Sequence, residues 1–177
     1  FQNTEYEAKG LPSKQETVCL EPVKNKIPPR VYTKEYHPPV TDGSGNIRPQ
    51  MRIALSILNK AGWEIVNRKM TNKQTGKVMA FELLLYSPTM ERIAIPIQDN
   101  LKKLGIAMNI RRVDTTQFIN RSRARDFDMI SGGYSANTFP STNLKIVWHS
   151  GFLDSTYNTA GVKDPAIDFL TEKIAQN

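Results

Sequence analysis

The chain has one cysteine, Cys19, two histidines, and no apolar run approaching the roughly 18 residues of a membrane-spanning helix. A single thiol excludes an internal disulfide. Cys19, His37 and His149 have no partners at metal-ligand spacing, so neither a metal site nor a cofactor is expected. Material for catalysis is equally thin. His149 adjoins Ser150, but neighbouring residues seldom face each other and no orienting acid stands out. Asp126 and Asp128 share a strand face only if both lie in the strand, and Asp126 is expected in the turn before it. No catalytic residue is assigned and no enzymatic activity is expected. Nothing at the amino terminus has the pattern of a signal peptide. The chain opens on Phe1 and stops within the amphipathic run LTEKIAQN, which reads as a piece of a longer polypeptide with any export signal upstream.

Charge and proline are what the chain has in quantity. Lysine and arginine number 24 against 17 acidic residues, a balance of +7. That excess raises a basic α/β module binding nucleic acid as one alternative, marked by steep salt dependence. The basic residues are spread along the chain, however. The densest run, NRSRARD at residues 120–126, falls on a predicted helix as its solvated face, without interleaved aromatic platforms. Of 11 prolines, those at 12, 22, 28, 29, 38, 39 and 49 crowd the first 50 residues. Proline fixes its own φ and extends the residue before it, so residues 1–47 are expected to form an irregular strap and connector packed on the rest, and residues 48–177 an α/β lobe.

Within that lobe, Met51, Ala54, Leu55, Leu58 and Ala61 recur at helical spacing, with Gly62 as a left-handed stop. WEIVN reads as a strand, NKQTGK as a turn, and VMAFELLLY, 78–86, as a longer strand. Ser87-Pro88 opens a helix whose Ile93, Ile97, Leu101 and Leu104 share a face; Pro96 inside it predicts a kink or a later start, and Gly105 ends it. IAMNIRRV, 106–113, is a strand, Asp114 with Gln117 resembles a capping box for TTQFINRSRA, and FDMISGG is the last strand. Strands joined through helices lie parallel, so a mixed, mostly parallel sheet flanked by helices is expected.

The stretch SGGY, Ser131 to Tyr134, stops supplying side chains where that strand leaves the sheet. Ligands of open α/β sheets bind beyond the carboxyl ends of the strands, and glycines let a guest approach the main chain. Tyr134 beside them offers a ring face and a hydroxyl. A tight turn with a partly buried tyrosine fits the same residues.

TMERIAIPIQDNLKKLGIAMNIRRVDTTQFINRSRARDFDMISGGY resembles the hallmark segment of the family 5 extracellular solute-binding proteins, the oligopeptide and dipeptide receptors of ABC importers. The flanks agree: Ala61, Gly62 and Trp63 match an Ala-Gly-Trp helix end, and Asn158, Gly161, Pro165 and Asp168 match an Asn-x-x-Gly and Pro-x-x-Asp pair. PPVTDGSGN and GLPS are most similar to the YejA-like subgroup, associated with peptides and the peptide-nucleotide microcin C. The resemblance implies one lobe of a type II periplasmic-binding-protein fold, from a longer, two-lobed periplasmic receptor that is monomeric. It implies a peptide or peptide-like ligand, an inner-membrane ABC permease as partner, and no nucleic acid. In this family the aromatic after the glycine lines the cleft, and an Asp three positions on receives the peptide amino terminus. Here those positions are Tyr134 and Asn137, and asparagine accepts a hydrogen bond but forms no ion pair. The residues expected at the ligand are Gly133 through its backbone, Tyr134, Ser135 and Asn137, with Phe139, Asn143 and Trp148 as further candidates, an aromatic in such a loop serving packing equally.

Overall fold

Ser13 starts the first helix, α1 (Lys14–Leu20), through a reciprocal cap: its hydroxyl accepts the Glu16 N–H at 3.2 Å, and Glu16 accepts the Ser13 N–H at 2.7 Å. The computed structural model describes residues 7–134, 139–155 and 157–176. A 3-10 turn, Glu21–Lys26, follows α1 with Pro22 at its start, and α2 (Arg30–Thr33) follows Pro29. The expected irregular strap is therefore helical over much of its length. Pro22 and Pro29 sit at the starts of turns, where a missing N–H costs nothing, while residues 7–13, 27–29 and 34–47 lack regular structure.

The chain then forms α3 (Arg48–Lys60), which ends at Gly62 with φ 84°, and a hairpin of β1 (Trp63–Val66) and β2 (Lys69–Asn72). The hairpin is antiparallel, with Trp63 opposite Asn72 and Val66 opposite Lys69. Its turn residues, Asn67 and Arg68, both have left-handed backbone, φ 50° and 64°. Two such residues suit a tight hairpin, but the second is ordinarily glycine; an arginine there costs about 1 kcal/mol. β2 was not expected: its four residues carry one apolar side chain, Met70, which is buried.

β3 (Ala80–Leu85), α4 (Pro88–Lys103), β4 (Ala107–Arg112), α5 (Thr115–Ala124) and β5 (Met129–Ile130) complete this part. The three strands are parallel in the order β4-β3-β5, with Ala80 opposite Ala107 and Leu83 opposite Met129. The parallel sheet is thus as expected, and the antiparallel hairpin stands apart from it. β3 begins later than expected because Val78 and Met79 pair with the hairpin instead; the Met79 N–H donates to Met70 O at 2.8 Å. Leu83, Leu84 and Leu85 are buried in its centre, worth about 2 kcal/mol each in removed apolar surface.

The expected face of α4 holds at Leu101 and Leu104, which pack in the core, and fails at Ile93 and Ile97. Ile93 and Ile97 are 54% and 44% exposed, while Met90, Ala94 and Leu101 face Leu83, Leu85 and Met108. Ala94 lets the helix backbone approach the sheet, and Gln98 on the same side donates to Met108 O at 2.7 Å. The helix continues through Pro96. A second cluster joins Met70, Leu104 and Ile106 to Met51, Ala54, Leu55 and Leu58 of α3. At α5, Asp114 accepts the Gln117 N–H at 2.9 Å, as its spacing suggests. Arg121, by contrast, leaves the solvated face expected of its run. It pairs with Glu82 at 2.9 Å and Asp126 at 2.8 Å, while Asp128 accepts the Glu82 N–H at 2.9 Å, tying the entry of β5 to β3.

After Ile130 the chain runs to α6 (Asn143–Trp148), a 3-10 turn (Ser150–Phe152) and α7 (Pro165–Gln176). α7 packs on α6 and on the 3-10 turn at Glu21–Lys26. By packing, Phe1–Pro38 and Gly133–Asn177 form one unit and Pro39–Gly132 the other. The cut at residue 47 marks instead where proline density falls.

Candidate functional site

β5 is followed by Ser131, Gly132 and Gly133. Neither glycine has left-handed backbone, and among the described residues a Cβ on either would meet no atom within 4 Å. Conformation and packing do not require glycine at either position. What the missing side chains leave is bare main chain at the carboxyl end of a parallel sheet.

Tyr134 follows, 46% exposed. Its ring lies 4.6 Å from that of Trp148, tilted by 42°, within the range of favourable aromatic pairs. Its hydroxyl lies 3.2 Å from that of Thr159, and either can donate. The neighbour of Thr159, Asn158, is fully buried: its amide donates to the carbonyls of His149 at 3.3 Å and Val162 at 3.2 Å, and its carbonyl accepts the Val162 N–H at 3.0 Å. His149 adjoins Trp148. One buried amide therefore fixes both the helix end that carries Trp148 and the turn that carries Thr159.

Beneath this pair, the Ser150 amide and hydroxyl both donate to Asp168, at 2.7 and 2.6 Å. Burial works against ionisation of Asp168, but the Ser150 hydroxyl and amide, with His149 beside them, outweigh it and hold the carboxyl below its ordinary value. His149 Nδ1 accepts the Gly151 N–H at 2.9 Å, which leaves Nε2–H to donate to Glu172 at 3.2 Å. The Ser150 hydroxyl thus donates to Asp168 rather than to His149, whose ring nitrogens engage Gly151 N–H and Glu172, with Nδ1 3.8 Å from Asp168. Among the described residues, no group of three or more metal-ligating side chains gathers, and no helix is long and apolar enough to cross a membrane.

Of the residues expected at a ligand, Tyr134 and Trp148 come together, and Gly133 lies open beside them in sequence. Phe139 is 60% exposed; Asn143 is exposed at the opposite end of α6 from Trp148. Ser135 and Asn137 lie outside the described residues. Thr159 was not foreseen, although the Asn-x-x-Gly pattern at Asn158 and Gly161 marked its turn.

Residues 21–152 match the family model for bacterial extracellular solute-binding proteins, family 5 Middle. The uncharacterized protein YejA of Escherichia coli is 42% identical over 174 residues, which is 98% of this chain and 29% of that protein. A probable peptide-binding protein, also called YejA, from Agrobacterium fabrum is 36% identical over 176 residues, again 98% of this chain and 29% of that protein. Among solved structures, the oligopeptide-binding protein AppA of Bacillus subtilis, in complex with a nonapeptide, superposes with a TM-score of 0.59 at 26% identity, covering 69% of this chain and 25% of that one. The chain spans less than a third of each of these proteins. With a family model covering most of it and relatives aligned almost end to end, this chain belongs to the bacterial extracellular solute-binding proteins of family 5.

Proposed function

We propose that this chain is part of the substrate-binding component of an ABC-type peptide importer, which captures peptides or peptide-like molecules in the periplasm and delivers them to an inner-membrane permease. The observation that carries the reading is a pair of exposed glycines, on which a Cβ would meet no atom of the described residues within 4 Å, followed by a half-exposed tyrosine braced by Trp148 and Thr159. Gly133 offers main-chain hydrogen bonds to an extended peptide, and Tyr134 offers a ring face whose hydroxyl already has a partner in Thr159. Such a site holds backbone and apolar side chains without demanding a sequence, as a nutrient receptor requires. Ser135 and Asn137, which follow in the sequence, belong to the same proposed ligand set, with Phe139, Asn143 and Trp148 as further candidates. Asn137, a neutral residue, contacts a peptide amino terminus without an ion pair, which also admits ligands with a modified terminus, peptide–nucleotide conjugates such as microcin C among them.

The test is retention. The full-length protein, exposed to a mixed pool of tri- to hexapeptides and passed through gel filtration, is expected to carry peptide that mass spectrometry identifies, and Tyr134→Ala is expected to carry much less with only a small fall in the unfolding midpoint, from the lost Trp148 contact and Thr159 hydrogen bond. Retention of no peptide, together with binding of oligonucleotides that collapses on adding salt, would favour the nucleic-acid alternative and reject this one.

A further inference from the structure

The opposite, amino-terminal edge of the parallel sheet carries a second feature, and it does not rest on the peptide-capture reading. A cleft of about 390 Å³ opens between the β1–β2 hairpin turn and the end of α4, with Arg68, Lys69 and Lys102 on its walls, Asp99 near them, and Ile106 and Met108 among its lining. Among the described residues, none of these three cations forms an ion pair, whereas Lys24, Arg112, Arg121 and Lys145 all do.

The backbone singles out Arg68. It occupies a left-handed position, φ 64°, where a hairpin of this kind is most stable with glycine. An arginine in this left-handed conformation, which glycine would adopt at lower cost, points to use of its guanidinium. The frame that holds it is rigid. The Met70 N–H donates to Gly105 O at 2.8 Å, and the hairpin sits so close to the α4–β4 turn that a Cβ on Gly105 would lie 2.8 Å from Met70 N and 3.0 Å from Arg68 O. The cations are therefore presented by fixed backbone at the mouth of the cleft.

The floor decides which anion fits. The main-chain N–H groups of Gly105, Ile106 and Ala107 are spent: Gly105 donates to Lys102 O, Ile106 to Leu101 O and Ala107 to Met79 O. A compact phosphate finds no nest of free amides along these three residues. Carboxylates spaced along a chain, each met by a separate side chain, suit three cations set around an apolar floor, and guanidinium matches carboxylate in shape. We propose that this cleft is a docking site for an acidic protein segment, with Arg68 as its anchor.

Hexaglutamate labelled with fluorescein, titrated into the full-length protein, tests it. Binding is expected, weakening with added salt, and the affinity should fall at least about tenfold in Arg68→Gly and in Lys102→Ala but not in the distant Lys14→Ala. Arg68→Gly is also expected to raise the unfolding midpoint, because glycine relieves the left-handed turn, so lost binding there cannot come from misfolding. Unchanged affinity in Arg68→Gly, an equal loss in Lys14→Ala, or displacement of the probe by inorganic phosphate at equimolar charge would each overturn the proposal.

Discussion

At the residue scale, the position of Tyr134 depends on a side chain 25 residues away, Thr159. Replacing Thr159 by valine keeps the shape and removes the hydroxyl. We expect the loss of about 1 kcal/mol of stability at most, the net worth of one hydrogen bond, and a severalfold weaker peptide capture by the full-length protein as the ring swings free. Thr159→Ser should restore capture, and a variant that binds as well as the parent would show that Trp148 alone positions the ring. Asp168 offers a second test. Its carboxyl is held below the ordinary value of 3.8, so its contribution to stability is complete above that pH and is lost as pH falls through the lower folded value. Unfolding midpoints followed from about pH 5 to about pH 2 should therefore drop more steeply for the parent than for Asp168→Asn, which keeps hydrogen bonds to Ser150 but has no charge to lose. Parallel curves would remove Asp168 as a source of acid sensitivity. Tyr134 was legible in the sequence because a lone ring after two glycines stands out by composition. Thr159 was not, since no spacing rule encodes a contact between two hydroxyls so far apart along the chain.

At the element scale, Gly105 does more than end α4. Its φ of 75° is left-handed, and a side chain there would strike the backbone of β2. Gly105→Ala is expected to cost about 2–4 kcal/mol, combining conformational strain with a clash against main-chain atoms that have no rotamer to escape into. Chemical denaturation would measure it, and a loss below about 1 kcal/mol would mean that the hairpin can retreat. The sequence located Gly105 as a helix stop by its position after an apolar run, but the reason it must be glycine lies in the packing of β2, a strand too short and too polar to read. The face of α4 was misjudged in part, on similar grounds. Ile93 and Ile97 have the spacing of a buried face, yet the smaller Ala94 with Met90 and Leu101 makes the contact, because a helix lying close on a sheet favours a small residue at the point of nearest approach. Hydropathy ranks isoleucine above alanine and says nothing of clearance. The prolines misled in the other direction, since Pro22 and Pro29 sit where helical turns begin, and the capping pair Ser13 and Glu16 was the stronger local signal.

At the scale of the whole molecule, the chain leaves one packed unit at Pro38 and returns to it at Gly133, so that unit is assembled from two segments far apart in sequence. Composition cannot reveal a unit assembled from two distant segments; the resemblance carried by Asn158, Gly161, Pro165 and Asp168 indicated the fold there without indicating the partner segment. Length also bears on the proposed peptide capture. The chain spans 29% of its Escherichia coli relative, and under that proposal a peptide enclosed between two lobes of the full-length protein loses water on every side, whereas the same peptide lying on Gly133 and Tyr134 alone keeps one face wet. Association costs several kcal/mol of lost translational and rotational freedom before any contact repays it, so halving the contacts removes far more than half of the net affinity. The 177 residues by themselves are therefore expected to release, during gel filtration, peptides that the full-length protein retains, with a dissociation constant higher by about a hundredfold or more. Equal retention by both would place the whole cleft within this chain and would require ligand contacts beyond the glycine edge and its tyrosine.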